Sequence, residues 1–178
     1  MRLTLKKWQR ITLWTLGLFV VVAGSIAAYR FATRVVSPLP DAIQSQLTFS
    51  PFIIENSKKY KSESYKFSKA EDNTQIFSYL IRATNGPTIS LSEYTQPQQF
   101  TEIAEYKDRF LTNVAKQYAT VATSNGTIYL GRMSKQNNKQ LGVMLEKGLI
   151  VFMAPDSEMN EAQWRALGDQ LKILTIEN

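Results

Sequence analysis

The apolar positions of this chain fall into three regimes. From Ile11 to Tyr29, nineteen consecutive positions carry no charge. As a helix this run spans roughly 28 Å, close to the ~30 Å hydrocarbon core of a bilayer. A transmembrane helix is therefore predicted over residues 11–31, behind a basic tail at 1–10. Residues 32–50, with Pro38 and Pro40, read as a stalk, because proline disfavours helix at the position before it. The 51–178 remainder reads as one α+β domain.

Within that domain the first regime is strand-like. Phe52–Ile54 is a short apolar run. Ser64–Phe67 is predicted to pair with Gln75–Ala83, where Phe77, Tyr79 and Ile81 share one face and Ile76 and Leu80 the other. Apolar residues on both faces predict a central strand. Thr88–Tyr94 sets Ile89 and Leu91 against Ser90 and Ser92, the alternation of a strand with one wet side. Glu93 is assigned to the polar side of that strand.

Pro97 opens a helical stretch. Phe100, Ile103, Ala104, Lys107, Leu111, Val114 and Tyr118 recur at spacings of three and four, predicting one mid-chain helix with this stripe on the sheet. Glu102, Glu105, Asp108 and Arg109 fall on its wet side. Hairpins follow. Ser124-Asn125-Gly126 separates Ala119–Thr123 from Thr127–Met133, and Lys147-Gly148 separates Gln140–Glu146 from the apolar run Leu149–Ala154. Asn125-Gly126-Thr127 also fits a glycosylation sequon, but the turn reading is preferred. Asn160 with Gln163 three positions on forms a capping box, and Met159 and Trp164 occupy staple positions. Trp164, Leu167, Leu171 and Leu174 are predicted to face the sheet from one C-terminal helix. The predicted architecture is an antiparallel sheet of about six to eight short strands, covered by the mid-chain and C-terminal helices on one face.

Charge changes the picture once it is divided. The chain carries 21 Lys and Arg against 15 Asp and Glu, net +6. Residues 1–34 hold six of those cations (Arg2, Lys6, Lys7, Arg10, Arg30 and Arg34) and no acid, so residues 35–178 carry 15 of each sign. A domain of balanced charge excludes the net basic footprint of a nucleic-acid binder. Lys58, Lys59, Lys61, Lys66 and Lys69 cluster, but Glu55, Glu63 and Glu71 interleave with them, which reads as a solvated face rather than a contact for an anionic polymer or lipid headgroup. Four cations precede the apolar run and two follow it, placing the N-terminus in the cytoplasm and the domain outside the membrane. The run is longer than the 7–15 apolar residues of a signal peptide, which favours an anchor over cleavage near Ser25-Ile26-Ala27. Gly24 and Ala28 lie four apart, a small-residue face that offers a weak homodimer or a seat in a membrane complex.

Chemistry is sparse. Histidine and cysteine are both absent, which excludes imidazole- or thiolate-based catalysis and metal ligation. Neither phosphate loops, calcium loops nor zinc-protease motifs occur. Glu102 and Glu105 are three apart but on a wet face, and Glu93 alone makes no acid–base pair. No catalytic, cofactor-binding or metal residue is assigned, and no cofactor is expected.

The segments PFIIENSKKY at 51–60, TISLSEYTQPQQF at 88–100, NGTIYLGRM at 125–133 and LIVFMAPDSEMNEAQWRAL at 149–167, with the N-terminal anchor, resemble a group of uncharacterised bacterial single-pass membrane proteins. The chain departs from that group at Trp164, where an aliphatic residue is usual. The resemblance implies an extracytoplasmic α+β domain in the cell envelope and assigns no substrate or site residue. The expectation is a non-enzymatic binding or interaction module. The alternatives are an accessory subunit held through the membrane helix or, third, an envelope hydrolase using carboxylates or a Ser-Lys pair.

Overall fold

The computed structural model describes residues 39–133 and 138–175. The expected membrane helix, its basic tail and the Gly24–Ala28 face lie outside the described residues. Among the described residues no helix is long and apolar enough to cross a membrane.

Seven strands make one antiparallel sheet. In chain order they are β2 (Tyr60–Lys69), β3 (Gln75–Ala83), β4 (Thr88–Thr95), β5 (Lys116–Thr123), β6 (Gly126–Met133), β7 (Lys139–Glu146) and β8 (Leu149–Pro155). Their spatial order is β2-β3-β4-β8-β7-β6-β5, two meanders joined where β4 pairs with β8. The expected hairpins at Asn125-Gly126 and Lys147-Gly148 are present, with Gly126 at φ 131° and Gly148 at φ 73°. Both values lie where a side chain is strained and glycine is not. The Asn125 side-chain Nδ2 donates to Gly168 O at 2.9 Å, tying this turn to the last helix.

A second sheet has two strands, β1 (Phe52–Ile54) and β9 (Leu171–Ile173), in antiparallel register Phe52↔Ile173. Here the structure corrects the sequence reading. Leu171 and Leu174 are buried as expected, but from a strand and the residue just past it: the last helix stops at Gln170. Helical spacing continues past it, but β1 offers a ladder that a further helical turn would leave unpaired.

Among the described residues four short helices complete the fold: α1 (Asp41–Gln44), α2 (Gln99–Glu102), α3 (Tyr106–Val114) and α4 (Glu161–Gln170). The region expected as a stalk contributes to the core from Leu39 onward, since Leu39 and Leu47 are buried in the main cluster and Ile43 and Phe49 pack against it. The single mid-chain helix is instead two pieces. Ile103 is extended (φ −117°, ψ 109°) and 40% exposed, and Tyr118 stands in β5, 50% exposed. Aromatic packing accounts for the break. Phe100 meets Tyr106 and Phe110 edge-on at 5.0 and 5.1 Å. In a continuous helix Phe100 and Phe110 would sit about 15 Å apart along the axis and never touch.

The helices also lie on opposite faces of the sheet rather than on one. Along β8, Leu149, Val151 and Met153 join the cluster containing Trp164 and Leu167 of α4, whereas Ile150 joins the cluster containing Leu111 of α3. Alternate strand residues point to opposite faces, so α4 with the β1–β9 pair covers one face and α2–α3 the other. The all-round apolar pattern of Leu149–Ala154 reflects this double cover.

The start of α4 is held firmly. Asn160 Oδ1 accepts from the Gln163 amide at 2.9 Å, and Gln163 Oε1 accepts from the Asn160 amide at 2.9 Å. The buried Gln140 grips the preceding residue, accepting from Met159 N at 2.7 Å and donating to Met159 O at 3.0 Å.

Candidate functional site

Two polar groupings stand out, one sealed and one open. The sealed one centres on Glu93. The structure corrects its assignment to the wet side of β4: Glu93 shares the face of Ile89 and Leu91, four and two residues back, and is fully buried. Its Oε2 accepts from the Phe52 amide at 2.8 Å. Tyr79 Oη donates to Phe52 O at 3.2 Å, and Ser62 Oγ donates to Ile54 O at 2.8 Å. Three side chains from the large sheet thus supply what a neighbouring strand's backbone would supply to the free edge of β1.

A bulge in β2 completes this cluster. The β2–β3 register shifts between Glu63 and Lys66, with Ser64 at φ 58°. The extra residue turns Tyr65 onto the buried face, its ring 5.6 Å from Tyr79 and stacked at 6.2 Å on Phe77. Burial holds the Glu93 carboxyl well above the usual carboxylate range, opposed by the Phe52 hydrogen bond. Burial, with Glu93 and Tyr65 nearby, likewise pushes the Tyr79 phenol well up. Glu93 Oε1 is buried without a hydrogen-bond partner. A perturbed carboxyl is a common mark of catalysis. A general acid must also reach a substrate proton, and this one is enclosed on every side. In this arrangement it docks β1.

The open grouping is a cleft of about 240 Å³ at one end of the sheet. Lys58 and Lys59 form one wall, Asn85 and Gly86 of the β3–β4 turn another, and Gln163 of α4 a third. Tyr60, Ile89 and Met159 supply an apolar floor. Ser57 Oγ accepts from both Lys59 N at 3.2 Å and Tyr60 N at 3.1 Å, a side-chain-capped bend that brings two consecutive lysines to the same rim. Thr84 locks that bend to the turn opposite, its Oγ donating to Lys58 O at 2.6 Å and its amide to Lys59 O at 2.9 Å. Among the described residues no acid lines the cleft. Among the described residues neither lysine forms an ion pair.

Two of the three acids that interleave with the lysines in sequence are engaged elsewhere. Glu63 pairs with Arg82 on β3, and Glu55 with Lys172 on β9 at 2.9 Å. Sequence reasoning missed this, because both counter-ions come from distant segments.

The other candidate carboxylates do not assemble. Glu102 closes α2 and Glu105 precedes α3, both exposed, so they do not share a helix. Among the described residues no group of acidic side chains is placed to hold a metal ion. No family model, curated protein or solved structure matches this chain.

Proposed function

We propose that this chain is a membrane-tethered, extracytoplasmic binding module of the bacterial cell envelope, and that its ligand occupies the cleft between Lys58–Lys59, the β3–β4 turn and α4. The apolar run at residues 11–29 supports the tether, and its flanking cations support a cytoplasmic N-terminus. The observation that carries the binding reading is the cleft itself: concave, with an apolar floor and, on its rim, cations that form no ion pair among the described residues. The sealed position of Glu93 supports a non-enzymatic role, since the most perturbed carboxyl of the domain has no route to a substrate. The balanced charge of residues 35–178 speaks against nucleic acid as the partner.

The test is photocrosslinking in the native membrane. A photoreactive residue replaces Asn85 at the cleft or Ser90 on the exposed side of β4, in the full chain. The proposal expects an adduct from position 85 and none from position 90, in a membrane fraction that resists alkaline extraction. Release of the chain by alkali removes the tether. Equal or absent adducts at the two positions remove the cleft.

A further inference from the structure

We infer that the cleft takes an anionic head group, a phosphate or carboxylate, that carries a short apolar extension. The inference rests on the binding-module reading above and specifies the chemistry of its ligand.

Three observations converge. The first is charge without compensation. Lys58 and Lys59 border a cleft that no acid lines among the described residues, and the nearby Glu55 and Glu63 pair with Lys172 and Arg82. Two exposed ammonium groups held on one rim attract an anion, and a ligand that brings its charge between them forms charge-assisted hydrogen bonds. The second is an excess of donors. Gln163 turns its Oε1 to the Asn160 amide, which leaves its amide nitrogen without a protein partner among the described residues. The backbone amides of Asn85 and Gly86 in the facing turn likewise have no protein acceptor among the described residues. Donors on three walls call for an acceptor-rich ligand. The third is size and floor. About 240 Å³ lies below the ~300–1,000 Å³ of sites that enclose drug-sized ligands, so a head group with a few carbons fits and a nucleotide cofactor does not. Tyr60, Ile89 and Met159 give those carbons apolar contact.

The preorganised backbone favours binding over passive surface charge. The rim lysines lie on a bend fixed by Ser57 and Thr84. Lys61, Lys66 and Lys69 lie further along the exposed edge of β2, outside the cleft. Lys66 and Lys69 therefore serve as an internal control of equal charge and similar exposure.

The experiment uses the full chain in nanodiscs of zwitterionic lipid, titrated calorimetrically with hexyl phosphate, hexanoate, inorganic phosphate and hexanol. Hexyl phosphate or hexanoate should bind saturably, roughly tenfold or more tighter than hexanol, as expected for charge-assisted contacts. Whichever of the two anions binds more tightly identifies the source as phosphate or carboxylate. Inorganic phosphate should be weaker than hexyl phosphate because it leaves the floor empty. The double variant Lys58→Glu/Lys59→Glu should lose about tenfold or more, and Lys66→Glu/Lys69→Glu no more than about twofold, at unchanged thermal unfolding. The milder Lys58→Gln/Lys59→Gln should fall between them. Equal losses in the two glutamate pairs would show general electrostatic attraction and overturn the inference. So would hexanol binding as tightly as the anions, or no saturable binding of either anionic amphiphile. An adduct at position 85 that persists alongside such a result keeps the binding module and discards only the anion.

Discussion

The two faces of the large sheet are built from the same strands to very different standards. One is closed by α4, the β1–β9 pair and residues 39–49, and buries Trp164, Phe52, Phe77, Leu167 and Met144 completely. The other is closed over β6–β8 and the Tyr94 end of β4, by two helices that bury Leu111 alone among their own residues. Over β3 and the rest of β4 it is open, with Ser78, Leu80 and Ser92 half-buried and Ser90 exposed. Stability and ligand chemistry have separated accordingly. The closed face holds the domain together, and the cleft at its end borrows rigidity from it through Met159 and Ile89. Paired substitutions test this asymmetry. Trp164→Ala should cost about 3–5 kcal/mol, the range for large aromatic truncations in a closed core. Phe110→Ala, half-buried on the thin face, should cost about 1–2 kcal/mol by the area it loses from contact. Urea unfolding of both variants measures the difference, and equal costs would break the comparison.

The next largest effect comes from a position with no side chain. Trp164 packs onto β7 at Gly142, where a Cβ would come within 2.6 Å of the indole Cζ3 and 3.0 Å of Ile128 Cγ2. Gly142→Ala should destabilise by about 1–3 kcal/mol through overpacking. The cost should shrink in a Trp164→Leu background, because the ring that it strikes is gone. A double-mutant cycle reads this coupling, for which about 0.5 kcal/mol or more is the usual mark of residues in contact.

How much of this was legible in the sequence depends on how far each feature reaches along the chain. The hairpins, the alternation of Ile89 and Leu91, and the Asn160–Gln163 box need only neighbouring residues, and each is present as read. Glu93 was equally local. Counting by two from Ile89 places it inside, and only the habit of putting carboxylates in water hid that. The β1–β9 pairing joins Phe52 to Ile173, and nothing in either three-residue run names its partner. The break between α2 and α3 follows from Phe100 reaching Phe110, a contact that helical periodicity forbids. The cleft was illegible for the same reason. Its lysines looked compensated by Glu55 and Glu63 until Lys172 and Arg82 arrived from other strands.

Glu93 tests whether the closed face is also the pH-sensitive one. Its folded-state affinity for a proton is raised, so above the ordinary carboxylate range the native state retains a proton that the unfolded chain has released. Stability must then be greatest below about pH 4.5 as far as this group is concerned, and fall as pH rises through the window above it. Glu93→Gln keeps an acceptor for the Phe52 amide and cannot ionise. It should flatten that decline, making the variant relatively more stable near pH 8 than near pH 5, as denaturant midpoints across that range would show. Glu158, held low by Arg132, and Asp72, held low by the Thr74 amide, act with opposite sign below the ordinary range and do not blur the window. A slope unchanged in Glu93→Gln would mean that the buried carboxyl is not what couples the domain to pH.

The smallest effect separates the two covering helices by their first turns. On the closed face, α4 begins with reciprocal bonds between Asn160 and Gln163. On the thin face, α3 is preceded by Glu105 at its cap position, whose side chain makes no capping bond. Asn160→Ala leaves the Gln163 amide without its acceptor and should cost about 1 kcal/mol. Glu105→Ala removes no cap and should stay within about 0.5 kcal/mol, the ordinary range for an exposed position. The readout is the urea midpoint of each variant, with hydrogen exchange at Glu161–Trp164 and Tyr106–Arg109 to locate the change. Faster exchange confined to α4 would show that the closed face depends on its cap. Comparable losses at both helices would mean that the first turn of α3 is held by the Phe100–Tyr106 contact and is no weaker than its counterpart. That outcome would leave the number of buried side chains, not the quality of the helix ends, as the source of the asymmetry.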